Sequence, residues 1–160
     1  MSAQTRLDRI TEQMGTDLRL LFGQRGGFFE DADLDAARTP FSGFDTDLLS
    51  VGGIDTLTQA IANRLKTRQG ELAGLGHPTY GSRHHELLGE PNVQRTRDLI
   101  KLYVLQALRD EPRIKRVVKV DVAAEHSPPR ESVRIDLTVE VIDAPVPLNL
   151  AVPFSLGATL

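Results

Sequence analysis

Residues 91–113 carry a helical pattern that ends abruptly. The stretch 99–108 is apolar on nearly every side, which predicts one long helix whose second half is surrounded by other elements. Asn92 is the predicted N-cap, because its side-chain oxygen can accept a hydrogen bond from a first-turn N–H. Pro112 is predicted to end the helix, since proline lacks an N–H and disfavours helical geometry at Glu111.

Beyond this helix the apolar spacing changes to two. Valines alternate with polar residues over 118–122, and a second alternating run covers 133–141, so two half-buried antiparallel strands are predicted. A third strand is predicted over 146–152, with its apolar residues at even positions. Three prolines near it all occupy odd positions, so their side should be the outer edge of the sheet and the even positions should bond inward: Pro145, Pro147 and Pro153.

The pattern is weaker in the first third of the chain. Residues 1–16 are expected to form an arm or a short helix, and residues 17–160 a single domain. Short strands are predicted over 17–22 and 45–51. The loop predicted between them holds four of the six phenylalanines, which either fill the core or face a partner: Phe28, Phe29, Phe41 and Phe44.

A second helix is predicted after Gly53. Asp55 or Thr56 is the expected cap, and one face carries Leu57, Ile61 and Leu65. A glycine-rich connection follows, with a short helix expected over 82–88. Its glycines match neither a phosphate loop nor a dinucleotide fingerprint. The predicted fold is therefore α+β, with a small, mostly antiparallel sheet packed against a long central helix.

Composition narrows the functional classes. The net charge of −3 gives no electrostatic reason to expect nucleic acid or a membrane surface as partner. The absence of cysteine excludes disulfides and thiolate chemistry. No signal peptide is recognised at the N-terminus, so assembly in the cytoplasm is expected.

Candidate catalytic and metal-binding groups do not form a known pattern. Ser82, His84 and His85 lack a third group that would orient a nucleophile and its base, so structural or surface roles are predicted for the histidines. Paired carboxylates for sugar hydrolysis would have to face each other, and the sequence does not indicate this for Glu71, Glu86 and Glu90. No catalytic residue, metal or cofactor is predicted.

The end of the long helix carries an unusual charge pattern. Asp110 and Glu111 place negative charge where the helix dipole is already negative, and Arg109 and Arg113 are the nearby cations. The pattern alone fits either a solvated helix end or a surface for another chain.

Three segments in fixed order resemble a known family: DTLTQAIANRLKT, GELAGLGHPTYGSRHHELLGEPN, and DEPRI before an alternating strand. Over roughly residues 45–155 the chain resembles the baseplate wedge component, or sheath initiator, of contractile injection machines. These machines include contractile phage tails, type VI secretion systems and extracellular contractile injection systems. The sequence Gly76-His77-Pro78 is most similar to the extracellular branch.

The resemblance implies a non-enzymatic baseplate role and a fold similar to the interlocking domain of sheath subunits. Glu111, Pro112 and Arg113 match the family's Glu-Pro-Arg motif and are expected to contact wedge proteins. Sheath subunits are expected to add strands to the 114–142 sheet, with contacts at Val118, Val120, Val133, Ile135 and Leu137. Multiple copies per ring are expected, six being the expected number, with the spike or hub as a further neighbour. The alternatives are a cell-wall hydrolase of lysozyme type and a generic adaptor domain.

Overall fold

The computed structural model describes residue 8 and residues 11–25, 28–38, 46–125 and 131–157. It is an α+β fold, as predicted, and divides into two compact units, residues 1–59 and 60–160. Most of the predicted N-terminal arm, together with Phe41 and Phe44, lies outside the described residues.

Among the described residues of the first unit, six short strands form three antiparallel pairs. They are β1 (Thr16–Leu18), β2 (Leu20–Arg25), β3 (Phe28–Leu34), β4 (Ala36–Arg38), β5 (Thr46–Leu48) and β6 (Ser50–Gly52), paired as β1–β6, β2–β3 and β4–β5. The predicted strand over 17–22 is therefore two strands, and the predicted loop is wrong where β3 and β4 lie. Residues 11–14, which precede β1, are helical.

The three strand pairs meet at a junction of three residues, and the same dipeptide precedes each of them. Around it, the main-chain N–H of Arg19 donates to Leu49, that of Leu49 to Asp35, and that of Asp35 to Arg19, at 2.8–2.9 Å. An Asp-Leu dipeptide precedes each junction residue, at 17–18, 33–34 and 47–48. In each dipeptide the aspartate carboxylate accepts the following leucine N–H at 2.8 Å. The same local motif thus provides an acceptor for the exposed leucine N–H at each of the three positions.

Helix α1 (Ile54–Lys66) buries the predicted apolar stripe, with Leu57, Ile61 and Leu65 at most 1% exposed. The helix begins at Ile54, so Asp55 and Thr56 lie inside its first turn and the predicted cap is wrong. Thr56 instead donates its hydroxyl to the Val51 and Gly15 carbonyls, at 3.1 and 3.3 Å.

The glycine-rich connection contains two 3-10 helices, Ala73–Leu75 and Arg83–Leu87. The second confirms the short helix predicted there. Gly81 has a positive φ of 101°, and a Cβ on it would lie 2.6 Å from the Thr67 carbonyl oxygen. Only glycine therefore allows the connection to return this close to the end of α1.

Helix α2 (Gln94–Arg109) corrects two predictions. Val93 is the N-cap; the side-chain oxygen and carbonyl of Asn92 instead accept from Arg97, at 2.8 and 3.2 Å. The helix is also not surrounded, since Leu102 and Leu105 are 47% and 37% exposed. Its buried side contacts β7 and the second 3-10 helix and consists of Thr96, Ile100, Val104, Ala107 and Leu108.

A three-stranded antiparallel sheet completes the second unit. Its order is β7 (Ile114–Ala124), β8 (Ser132–Val141) and β9 (Leu148–Ser155), so β8 is central. Strand β9 begins two residues later than predicted, and Val146 is exposed. Strand β7 shifts register twice against β8, and the second shift, between Val117 and Lys119, leaves Val118 exposed. The predicted inward position of Val118 is therefore wrong, because a bulge resets the alternation.

Candidate docking site

A tight turn follows α2 at the predicted stop. The N–H of Ile114 donates to the Glu111 carbonyl at 3.1 Å, which places Pro112 and Arg113 at the two central positions of a turn. Proline suits the first of these positions because its φ is already fixed near the required value. Pro112 is exposed, so the turn presents a rigid corner at the surface.

Glu111 points inward from this turn. Its side chain is 5% exposed, and one carboxylate oxygen accepts from Arg113 Nε at 2.6 Å. The other oxygen lies 3.6 Å from Arg64 Nη2. Burial alone would raise the pKa of Glu111, but the hydrogen bond and charge of Arg113, with the charge of Arg64, lower it overall. The carboxylate is thus held ionised by two guanidinium groups of its own chain.

The three motif residues therefore differ in what they can offer a partner. Glu111 is buried in an intramolecular cluster, whereas Pro112 is exposed and the Arg113 side chain remains 25% exposed. Arg64, on the last turn of α1, was missed by sequence reasoning. The available signal is its position on the apolar stripe, three residues after Ile61, where an arginine needs an anion.

The sheet has one open edge without proline. The N–H of Glu125 donates to the Ser132 carbonyl at 3.0 Å, in the same register as the pairs from Lys119 to Ala124. Because bonding direction alternates along a strand, Val120, Val122 and Ala124 direct their N–H and carbonyl groups away from β8. Among the described residues, β7 has no second strand partner.

The other edge is β9, and it confirms the proline prediction for Pro153, whereas Pro145 and Pro147 precede the strand. The N–H of Leu156 donates to the Glu131 carbonyl at 2.9 Å, so even positions bond inward and Pro153 faces outward. The predicted sheath-contact residues are placed differently from one another. Val118 is exposed and Val120 is buried on the edge strand, while three are buried on central β8: Val133, Ile135 and Leu137.

The adjacent histidines pack within the second unit, where His84 is buried and His85 is half-buried. His84 is 2% exposed, its Nδ1 lies 2.7 Å from Ser82 Oγ, and its ring meets Phe154 edge to face at 4.4 Å. His85 Nε2 bonds the Leu65 carbonyl at 2.9 Å. Burial, with a smaller effect of His85, lowers the pKa of His84 to about 3. His84 is therefore neutral at physiological pH and acts in packing, as predicted.

In the described part of the chain, no cluster of three histidine or carboxylate side chains could hold a metal ion. None of the helices there combines the length and apolar character that a membrane span requires.

Comparison with known families decides the class of protein. A family model described as baseplate wedge protein gp25 matches residues 52–145, which include α1, α2, the turn and most of the sheet. The chain belongs to this baseplate wedge family. It is therefore a structural component of a phage tail-like particle that interacts with other baseplate components, as the resemblance implied.

A solved structure supports the same fold. A Geobacter sulfurreducens protein named a tail lysozyme matches with a TM-score of 0.58 and 25% sequence identity, covering 67% of this chain and 94% of that one. No curated protein matches. The term lysozyme is part of the name of that similar protein. The family model that matches this chain describes a baseplate wedge protein.

Proposed function

We propose that this wedge-family chain initiates sheath assembly in a contractile injection system. The turn at Pro112 and Arg113 docks on the baseplate wedge, and the open edge of β7 accepts an extended strand from a sheath subunit. Several chains in a ring, six in the proposed arrangement, offer such edges together, so that the first sheath ring is bound at many points at once.

The outward main-chain groups of β7 carry the sheath part of this proposal. Strand addition needs a row of unpaired N–H and carbonyl groups, and β7 directs those of Val120, Val122 and Ala124 away from its partner strand. The β9 edge is interrupted by Pro153, which cannot donate. The two borders of the sheet are thus unequal, and β7 is the one suited to an added strand.

The register also predicts the chemistry of the added strand. A residue opposite Val120 or Val122 would lie on the face that packs against α2, so it should be apolar. Alternate residues would lie beside the solvent-facing Lys119 and Asp121 and should be polar. The incoming strand is therefore expected to alternate between apolar and polar residues.

Edge-blocking prolines test this part directly. Val122→Pro removes an outward N–H but none that bonds β8, so the sheet should fold while sheath no longer forms on the baseplate. Ala151→Pro removes an outward N–H on β9 and is the matched control, which should support sheath assembly. Both variants should be introduced into a particle-producing strain and the particles imaged for sheathed and bare tubes. Sheathed particles with Val122→Pro would refute β7 as the assembly edge.

The docking part is tested at Arg113. Arg113→Lys keeps the charge near Glu111 but loses the planar fork, so it separates recognition from the cost of an unpaired buried carboxylate. We expect this variant to fold and to be incorporated poorly into baseplates, measured against a co-produced unaltered chain by mass spectrometry of purified particles. Equal incorporation of the two chains would refute the docking role.

The hydrolase alternative lacks support from two of the three carboxylates that the sequence singled out, Glu71 and Glu86. Glu86 is engaged by Arg83 through two hydrogen bonds of 2.9 Å, and Glu71 accepts the Arg68 N–H at 3.0 Å. Neither arrangement directs a carboxylate pair into a cleft. Purified protein should release no soluble fragments from peptidoglycan, and release that is lost on substituting Glu71 or Glu86 would support the alternative.

A further inference from the structure

Arg64 is enclosed by side chains from two other segments. Its guanidinium lies 3.6 Å from the Glu111 carboxylate and 4.6 Å from the centre of the Tyr80 ring, and its side chain is only 13% exposed. A guanidinium held between an anion and an aromatic face has little freedom to reorient, because both contacts depend on its plane and position.

The two oxygens of Glu111 divide between two arginines. Oε1 accepts from Arg113 Nε at 2.6 Å and faces the Arg113 N–H at 3.4 Å, while Oε2 faces Arg64. Rotation of the carboxylate would break both sets of contacts together. Arg64 therefore restricts the orientation of Glu111, and through it the orientation of the Arg113 guanidinium.

Tyr80 is itself held in place by the backbone that follows it. The N–H of Ser82 donates to the Thr67 carbonyl at 2.9 Å, and the N–H of Gln69 donates to the Ser82 carbonyl at 3.2 Å. The close approach at Gly81 lies between these bonds and Tyr80. The backbone next to Tyr80 is thus held close to the end of α1, the helix that carries Arg64, and the ring contacts the Arg64 guanidinium from there.

We propose that Arg64 and Tyr80 are positioning residues for the docking turn. The Tyr80 ring holds Arg64, Arg64 holds Glu111, and Glu111 presents Arg113 to the baseplate partner in one orientation before contact is made. Such preorganisation lowers the ordering cost of binding. This inference rests on the proposed docking role of Arg113 and extends it to two residues outside the Glu-Pro-Arg motif.

The test is competition for places in the baseplate. A tagged variant and the unaltered chain are co-produced in a particle-producing strain that lacks its own copy. The variant-to-unaltered ratio in purified baseplates is divided by the ratio in the soluble folded pool. We expect Arg64→Gln and Tyr80→Leu each to reduce this quotient by about tenfold. Tyr80→Phe, which keeps the aromatic face, should leave the quotient near one.

Coupling distinguishes positioning from a loss of stability. Because Tyr80 acts through Arg64, adding Tyr80→Leu to Arg64→Gln should lower incorporation little further. Leu87→Ala removes buried apolar contacts in the same unit and serves as the stability control. It should lower the melting temperature while leaving the quotient near one.

Two outcomes would overturn the inference in different ways. Normal incorporation of Arg113→Lys would refute the docking role and this inference with it. Poor incorporation of Arg113→Lys, combined with quotients for Arg64→Gln and Tyr80→Leu no lower than that for Leu87→Ala, would refute only the positioning role.

Discussion

Acid should weaken the second unit through His84. Burial lowers the pKa of this imidazole from 6.5 to about 3, so the unfolded chain binds a proton that the folded chain does not. The contribution of neutral His84 to the free energy of unfolding is fully present above a pH of about 6.5 and is lost progressively as the pH falls towards about 3. Linkage gives a loss of about 2 kcal/mol in the free energy of unfolding between pH 8 and pH 5. The lowered pKa of His85 acts in the same direction.

His84→Asn isolates this contribution. The asparagine side chain can still bond Ser82 near the position of Nδ1 but does not titrate. The variant should be less stable at every pH because the asparagine side chain is smaller than the imidazole. Its loss in the free energy of unfolding between pH 8 and pH 5 should nevertheless be smaller than that of the unaltered chain by about 2 kcal/mol. His77→Asn makes the same substitution at an exposed position and should change the free energy of unfolding by no more than about 0.5 kcal/mol at pH 8.

Urea unfolding followed by far-ultraviolet circular dichroism at several pH values measures both effects. The slope with denaturant must stay constant for the comparison to report stability. If His84→Asn retained the full pH dependence, the titrating group would lie elsewhere, and the assignment of the pH dependence to His84 would be refuted.

The remaining predictions concern the turn, the connection and the helix surface. Arg113→Ala should cost about 3 kcal/mol in denaturant unfolding by leaving the Glu111 charge poorly paired, and a cost near zero would contradict the buried cluster. Gly81→Ala should cost about 2 kcal/mol more than Gly70→Ala, which shares its positive φ but meets no neighbouring atom; equal melting temperatures would contradict the close approach. Leu102→Gln should change the free energy of unfolding by no more than about 0.5 kcal/mol, and a large loss would mean that this face of α2 is buried.

The elements predicted correctly are those whose pattern is local. The apolar stripe of α1 repeats every three or four residues, and strand β8 alternates strictly, so each indicates its own buried face. The odd position of Pro153 predicted the outer side of β9 for the same reason. In these elements the burial follows from spacing along one segment.

Other features depend on residues far apart in the chain. The short strands of the first unit form because Leu20 pairs with Leu34, Ala36 with Leu48 and Ser50 with Leu18, which no single segment indicates. The repeated Asp-Leu dipeptides were the available signal. Helix α2 was expected to be buried on all sides because apolar residues surround it, but one sheet covers only one side.

The docking turn shows the same limit at the level of single residues. Its position and its proline followed from the sequence. The inward direction of Glu111 did not, because it depends on Arg64 from another helix.

Electron cryomicroscopy of the baseplate–sheath junction in an assembled particle tests the central proposal most directly. We predict a strand from a sheath subunit paired with the outer side of β7, bonded to the main chain of Val120 and Val122. A complete first sheath ring above a β7 edge that carries no added strand would contradict it.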